Sequence, residues 1–178
     1  MPAPKTAGYK FCPNCKAGLA MKRIDGAKRL CCASCGFVFW NDPKLATSVI
    51  LERDGKVLLL TRALEPLKGY WCLPGGYVCR EETPEQAAIR EAKEETGLGI
   101  EISGILGAYR IDNDPRGITI DIIYIGCIKG GKLRLNKEST KHGFFSASQL
   151  PEPIAYKHRK AILDWQRCKK KDAALKQS

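Results

Sequence analysis

Residues 76–98 read GYVCREETPEQAAIREAKEETGL, and the architecture can be built outward from them. Thr83 suits a helix N-cap, Pro84 the first helical position, and Gln86 completes a capping box. Gly97 is placed to end the same helix, so the spacing predicts a helix over 84–96. At about 100° per residue, Glu91, Glu94 and Glu95 share one sector of its circumference and form an acidic ridge. Such a ridge is often a solvated face with i,i+4 partners, Arg90 with Glu94 for instance. Two carboxylates at i and i+4, Glu91 and Glu95, also resemble a hard-cation site, because magnesium is held by a few carboxylates, waters and substrate phosphates.

On the N-terminal side of this helix, LKGYWCLPGGYV (67–78) reads as a short strand, a Pro-Gly-Gly turn and another strand. Before it, LATSVILER and KVLLLTR are rich in strand-forming residues and are joined by Asp54-Gly55, a tight hairpin signal. On the C-terminal side, GIEISGILGAYRI and GITIDIIYIGCI read as two longer strands, with Ile118, Ile120, Ile122 and Tyr124 on one face, and Gly130-Gly131 as a turn. A second helix is expected from Ala155 to Lys171, with His158, Ala161, Ile162, Trp165 and Cys168 as its apolar face.

The N-terminal forty residues follow a different logic. Cys12 and Cys15 form one C-x2-C pair and Cys32 and Cys35 another, sixteen residues apart. Two such turns supply four thiolates to one tetrahedral zinc ion, a zinc ribbon signature. Cys31 adjoins Cys32 and is an alternative ligand, although the two-residue spacing to Cys35 favours Cys32. Four protein ligands leave no open position, so the zinc would be structural. Cys72, Cys79, Cys127 and Cys168 lack paired spacing and are expected to be mostly buried thiols.

The chain has 178 residues, 44% hydrophobic and 28% charged, enough for one catalytic-size domain and a small appendage and unlike a disordered chain. Its net charge of +11 is concentrated at the ends: residues 1–40 hold seven basic and one acidic residue, residues 41–150 fifteen of each, and residues 151–178 eight and three. Basic ends suit a solubilising face or an anionic partner, nucleic acid included. No apolar run is long enough for a membrane span and none at the N-terminus suits a signal peptide, so a cytoplasmic location and no membrane partner are expected. The organisation expected is a zinc ribbon over 1–40, a catalytic domain over 41–170 after the NDP linker, and a basic tail over 171–178.

Residues 76–98 match the Nudix box G-x5-E-x7-R-E-U-x-E-E-x-G-U, with U a bulky apolar residue. Gly76, Glu82, Arg90, Glu91, Glu94, Glu95, Gly97 and Leu98 fall in register, and Ala92 is a small but still apolar residue at the first U. The chain therefore resembles the zinc-ribbon Nudix hydrolases, and the resemblance implies an α/β fold, the Nudix α/β/α sandwich, preceded by a small zinc-ribbon domain. It further implies hydrolysis of the diphosphate linkage in a nucleoside diphosphate derivative, releasing a nucleoside monophosphate, with catalytic magnesium or manganese. By the same resemblance the metal contacts are Glu91 and Glu95, with Glu94 supporting and the Gly75 carbonyl as a further ligand. Glu82 and Arg90 look like a pair that holds the loop against the helix. Relatives often add an acid in a later loop; Glu138 is the candidate base, with Asp112, Asp114 and Asp121 as alternatives, the first two expected as surface-loop residues.

Candidate substrate contacts are Arg62, Trp71, Arg110 and Arg116. Surface arginines and a core tryptophan are the competing readings, and Tyr109 is either a stacking residue or core. No SQPWPFP-like motif follows the box, which lowers NADH. Pro115, seventeen positions after Leu98, and the stretches FCPNC, NDPK and KGYWCLPGG resemble members acting on ADP-ribose or FAD, which rank first. A nucleoside triphosphate pyrophosphatase and a nucleic-acid-binding zinc-ribbon protein acting on RNA ends are the alternatives. A homodimer is expected from the resemblance.

Overall fold

The structure is a computed structural model that describes residues 9–112 and 114–175. The chain divides into two compact units, Met1–Pro43 and Lys44–Ser178.

The first unit is a small antiparallel sheet, β1 (Leu19–Ile24), β2 (Ala27–Cys32) and β3 (Val38–Phe39), in that order. Its two C-x2-C turns are built alike. The residue after the second cysteine is left-handed, Lys16 at φ 64° and Gly36 at φ 76°, and its amide donates to the carbonyl of the first cysteine, Cys12 or Cys32. Among the described residues of this unit only Cys12, Cys31 and Cys32 are buried, so it has almost no apolar core.

The second unit runs β4 (Lys44–Arg53), β5 (Lys56–Arg62), β6 (Trp71–Cys72), β7 (Gly75–Tyr77), α1 (Pro84–Thr96), β8 (Leu98–Ile111), β9 (Thr119–Gly131), β10 (Ser139–Phe145) and α2 (His158–Leu175). The sheet order is β10-β5-β4-β9-β8, with β6 on β5 and β7 on β4; β4 and β9 are parallel and the other pairs antiparallel. Asp54 and Gly55 are both left-handed, φ 53° and 75°, as a two-residue hairpin requires. The apolar runs of β4 and β5 split by period two. Val49, Leu51, Leu58 and Leu60 face α1 through Ala88 and Ala92, while Ile50, Val57 and Leu59 face α2 through Ala161, Ile162 and Trp165. A helix on each face of one sheet makes the α/β/α sandwich. Among the described residues no helix is long and apolar enough to cross a membrane.

Helix α1 has the expected caps: Thr83 accepts from the Gln86 amide, Gln86 reaches back to the Thr83 amide, and Gly97 is left-handed at φ 70°. Elsewhere the structure corrects expectation. Gly130 and Gly131 are not a turn; they end β9, paired with Gly99 and Leu98. Glycine is needed at 131 by close packing, since a Cβ there would lie 3.0 Å from Leu98 Cα. Ile118 precedes β9 and is exposed. Helix α2 starts at His158 rather than Ala155 and continues to Leu175, through the first residues assigned to a basic tail; residues 176–178 lie outside the described residues. Its buried face stops at Trp165, which leaves Cys168 exposed. Cys79, in the loop before α1, and Cys127, on β9, are exposed as well, so Cys72 alone of the four unpaired-spacing cysteines is buried.

Candidate functional site

In the first unit the sulfurs of Cys12, Cys15, Cys32 and Cys35 all lie within 4.8 Å of one another. Cys12 Sγ is 3.5 Å from Cys35 Sγ, and Cys15 Sγ is 3.4 Å from Cys32 Sγ. Successive strand residues point to opposite faces, and Cys31 accordingly turns away, its thiol donating to the Arg29 carbonyl.

In the second unit a cleft of about 390 Å³ crosses β7 at Gly75 and Gly76. Backbone contact holds position 75 to glycine, and Gly76 leaves the space that the end of the Glu91 side chain fills. A Cβ on Gly75 would lie 2.6 Å from Ser48 Cα, and one on Gly76 would lie 2.6 Å from Glu91 Cδ. Glu91, Glu95 and Glu138 are among the residues that line it. Glu95, from the last turn of α1, is 9% exposed and accepts from the Gly75 amide at 2.9 Å. Burial pushes its carboxyl up to about 8; the Gly75 amide opposes the rise, and the charges of Glu91 and Glu138 add to it. Burial also raises Glu91, against the pull of Arg90 and with help from Glu94 and Glu138. The charges of Glu91 and Glu138 act on Glu95, and Arg62 at Glu95 and Arg90 at Glu91 pull the other way; the three carboxylates are an oxygen-rich donor set that suits a hard divalent cation.

Arg90 ties the loop to the helix. Its guanidinium makes a two-pronged pair with Glu82, at 2.6 and 3.0 Å, and reaches Glu91 at 2.8 Å, Glu94 at 3.2 Å and the Tyr77 carbonyl at 3.3 Å. That pairing holds the Glu82 carboxyl down at about 2. Glu94 is mostly exposed, on the solvent side of Arg90, and does not line the cleft.

The four candidate substrate contacts separate. Arg62 and Arg116 line the cleft. Arg116 is held by Asp114 at 2.7 Å and by the Tyr156 hydroxyl at 3.1 Å, and its guanidinium lies 5.2 Å from the Tyr77 ring centre. Trp71 instead packs edge-on against Phe145 beneath α2, because β6 pairs with β5 and turns the indole into that core. Arg110 is an exposed residue paired with Asp112, away from the cleft lining. Tyr109 is buried in the α2-side core, with its hydroxyl on Asp164. Asp114 is buried rather than a surface acid; burial works to raise its carboxyl, but the Arg116 hydrogen bonds outweigh it and leave it below the usual range.

Several cleft residues carry no sequence motif. Ser48, Tyr77, Thr119 and Tyr156 line it, as does His158, which by helical period belongs to an apolar face. In the structure His158 is a buried polar link, accepting at Nδ1 from the Leu73 amide at 2.9 Å and lying 3.2 Å at Nε2 from Asp121 Oδ2. A histidine at the first position of an otherwise apolar helical stripe was the one available signal.

Comparison with known proteins agrees with this geometry. The NUDIX domain profile matches residues 42–166. Over 128 residues, 71% of this chain and 75% of the relative, the sequence is 42% identical to an ADP-ribose pyrophosphatase of Methanocaldococcus jannaschii. A NAD-capped RNA hydrolase, NudC, of Chromobacterium violaceum is 28% identical over 85% of this chain and 56% of its own length. Among solved structures, a NUDIX hydrolase from Nitrosomonas europaea superposes with a TM-score of 0.75 at 26% identity, covering 86% of this chain and 88% of the other. Box, cleft, fold and relatives converge, and the chain belongs to the NUDIX family of hydrolases.

Proposed function

We propose that the second unit hydrolyses the diphosphate of ADP-ribose or FAD, releasing AMP, with magnesium or manganese at Glu91 and Glu95. The observation that carries this reading is the composition of one cleft: the carboxylates Glu91, Glu95 and Glu138 and the cations Arg62 and Arg116 line the same space. NADH ranks lower for want of its sequence motif, and the ADP-ribose pyrophosphatase relative favours ADP-ribose.

A diphosphate repels an anionic nucleophile, and a bound divalent cation supplies the charge neutralisation and water activation that overcome this. Glu91 and Glu95 would hold it, with the Gly75 carbonyl as a further ligand and Glu94 in support. Gly75 fixes the Glu95 carboxylate through its amide, while Glu82, through Arg90, fixes Glu91. Gly76 leaves room for the Glu91 carboxylate, and Gly97, left-handed, ends α1 two residues beyond Glu95. The Glu138 carboxylate makes no hydrogen bond or ion pair among the described residues, its amide and carbonyl being bonded to Asn136 and Ala63, and it is the proposed base, taking the proton of the attacking water as the P–O–P bond breaks. Arg62 and Arg116 would neutralise and orient the phosphates.

The four-sulfur cluster is proposed to hold structural zinc. Tetrahedral ligation at about 2.3 Å places sulfurs about 3.8 Å apart, and the observed sulfur pairs at 3.4 and 3.5 Å come close to that spacing. On this reading residues 1–40 are a zinc ribbon, 41–170 the hydrolase domain and 171–178 a basic extension. A cytoplasmic homodimer completes the reading on the strength of the family resemblance, with light scattering as its check. The activity is tested by magnesium-dependent hydrolysis of ADP-ribose, FAD, NADH and nucleoside triphosphates, read by nucleotide chromatography. AMP released selectively from ADP-ribose or FAD is the expected result; selective cleavage of triphosphates would overturn the substrate assignment.

A further inference from the structure

Three buried polar atoms without a hydrogen-bond partner line one side of the cleft: Tyr77 Oη, Thr119 Oγ1 and Asp121 Oδ1. Thr119 and Asp121 are 3% and 2% exposed. A buried unpaired polar group costs on the order of 1–3 kcal/mol, so Thr119 Oγ1 and Asp121 Oδ1, two residues apart on β9, point to a ligand that supplies their partners. Sheet register brings them together. Thr119 lies opposite Lys44, and Asp121 and Tyr77 both lie opposite Ala46, so all three side chains project from the same face.

The surrounding residues determine what this wall presents. The Leu73 amide donates to His158 Nδ1, so the ring proton sits on Nε2, which is left to donate to Asp121 Oδ2 at 3.2 Å. The Ser48 hydroxyl donates to the same oxygen at 3.0 Å. Oδ2 is therefore occupied twice, and Oδ1 is a bare acceptor. Beside it the Thr119 hydroxyl has a proton to give. The Tyr77 and Tyr156 rings, joined by Arg116, border the same space and suit a flat aromatic ligand.

We propose that this recess receives a 6-aminopurine base, its exocyclic amine donating to Asp121 Oδ1 and the Thr119 hydroxyl donating to the adjacent ring nitrogen. Ser48 and His158 are positioning residues that leave Asp121 one free oxygen. The proposal rests on the reading of the cleft as a nucleotide diphosphatase, but its test needs no turnover. AMP and IMP, which differ in the amino and oxo groups at this edge, are titrated into the full chain by calorimetry in magnesium-free buffer. AMP is expected to bind at least about tenfold more tightly than IMP. Asp121→Asn keeps a carbonyl for Ser48 and His158 and turns an amino group toward the base, so the order should reverse. Thr119→Val removes an unpaired hydroxyl, so it should leave the melting temperature unlowered while weakening AMP about tenfold; it decides the matter should the Asp121 variant fail to fold. Equal binding of AMP and IMP to the native protein, no binding of either, or Thr119→Val with unchanged AMP affinity would overturn the proposal. A diphosphatase without base discrimination would leave the functional reading standing and the recess wrong; discrimination without hydrolysis would do the reverse.

Discussion

The two units of this chain each gather four acidic side chains, and they do so on opposite kinds of scaffold. The first brings together four cysteines over almost no apolar core, its buried residues among those described being three cysteines. The second brings Glu91, Glu94, Glu95 and Glu138 to the neighbourhood of one cleft, above a sheet whose Val49–Leu51 and Val57–Leu60 are fully buried. On the proposed reading, soft thiolates on a coreless scaffold would make a cation a condition of folding. Hard carboxylates on a prefolded scaffold would make it a condition of chemistry. Burial of Glu95 at the carboxylate site costs stability that the core can absorb.

The largest effect that separates the units belongs to the first. Cys15→Ser should release zinc and unfold residues 9–43, a change on the order of 10–16 kcal/mol in apparent zinc-linked folding energy. Metal analysis and hydrogen exchange check it: β1 and β2 should lose protection while β4 and β5 keep theirs, and joint loss would erase the contrast. Next, Glu95→Gln should lower kcat on the order of 10²–10³-fold with the fold intact, seen as an unchanged circular dichroism spectrum. Glu82→Gln frees Arg90 from its two-pronged pair and should cost about 10–100-fold, read as weaker magnesium affinity in an activity titration.

The contrast also extends to the pH dependence of stability. The folded carboxyl of Glu95 stands at about 8 against an ordinary 4.5, so between these values the native state binds the proton more than the unfolded state does. Without magnesium, the Glu95 contribution should therefore make stability fall as pH rises from about 4.5 to about 8. Glu95→Gln should lack this fall, and magnesium should oppose it; thermal melts at pH 5 and pH 8 measure both.

Local signals were legible in the sequence and long-range ones were not. The caps of α1, the hairpin at Asp54-Gly55 and the box carboxylates depend on residues a few positions apart. Trp71 and Arg110 were unplaceable because strand pairing, not spacing, turns one into the α2-side core and the other toward Asp112. His158 shares a helical stripe with Ala161 and Ile162, yet its partners Leu73 and Asp121 lie 85 and 37 positions away. Asp114 looked like a loop acid because the burial that distinguishes it comes from tertiary packing. Gly131 looked like a turn because its constraint is the backbone of Leu98.

The most direct test follows AMP release from ADP-ribose by the full chain and by Glu95→Gln, side by side, as magnesium is added. The account predicts release by the native protein that rises with magnesium and falls on the order of 10²-fold or more in the variant. Release that needs no divalent cation, or that survives in Glu95→Gln, would contradict it.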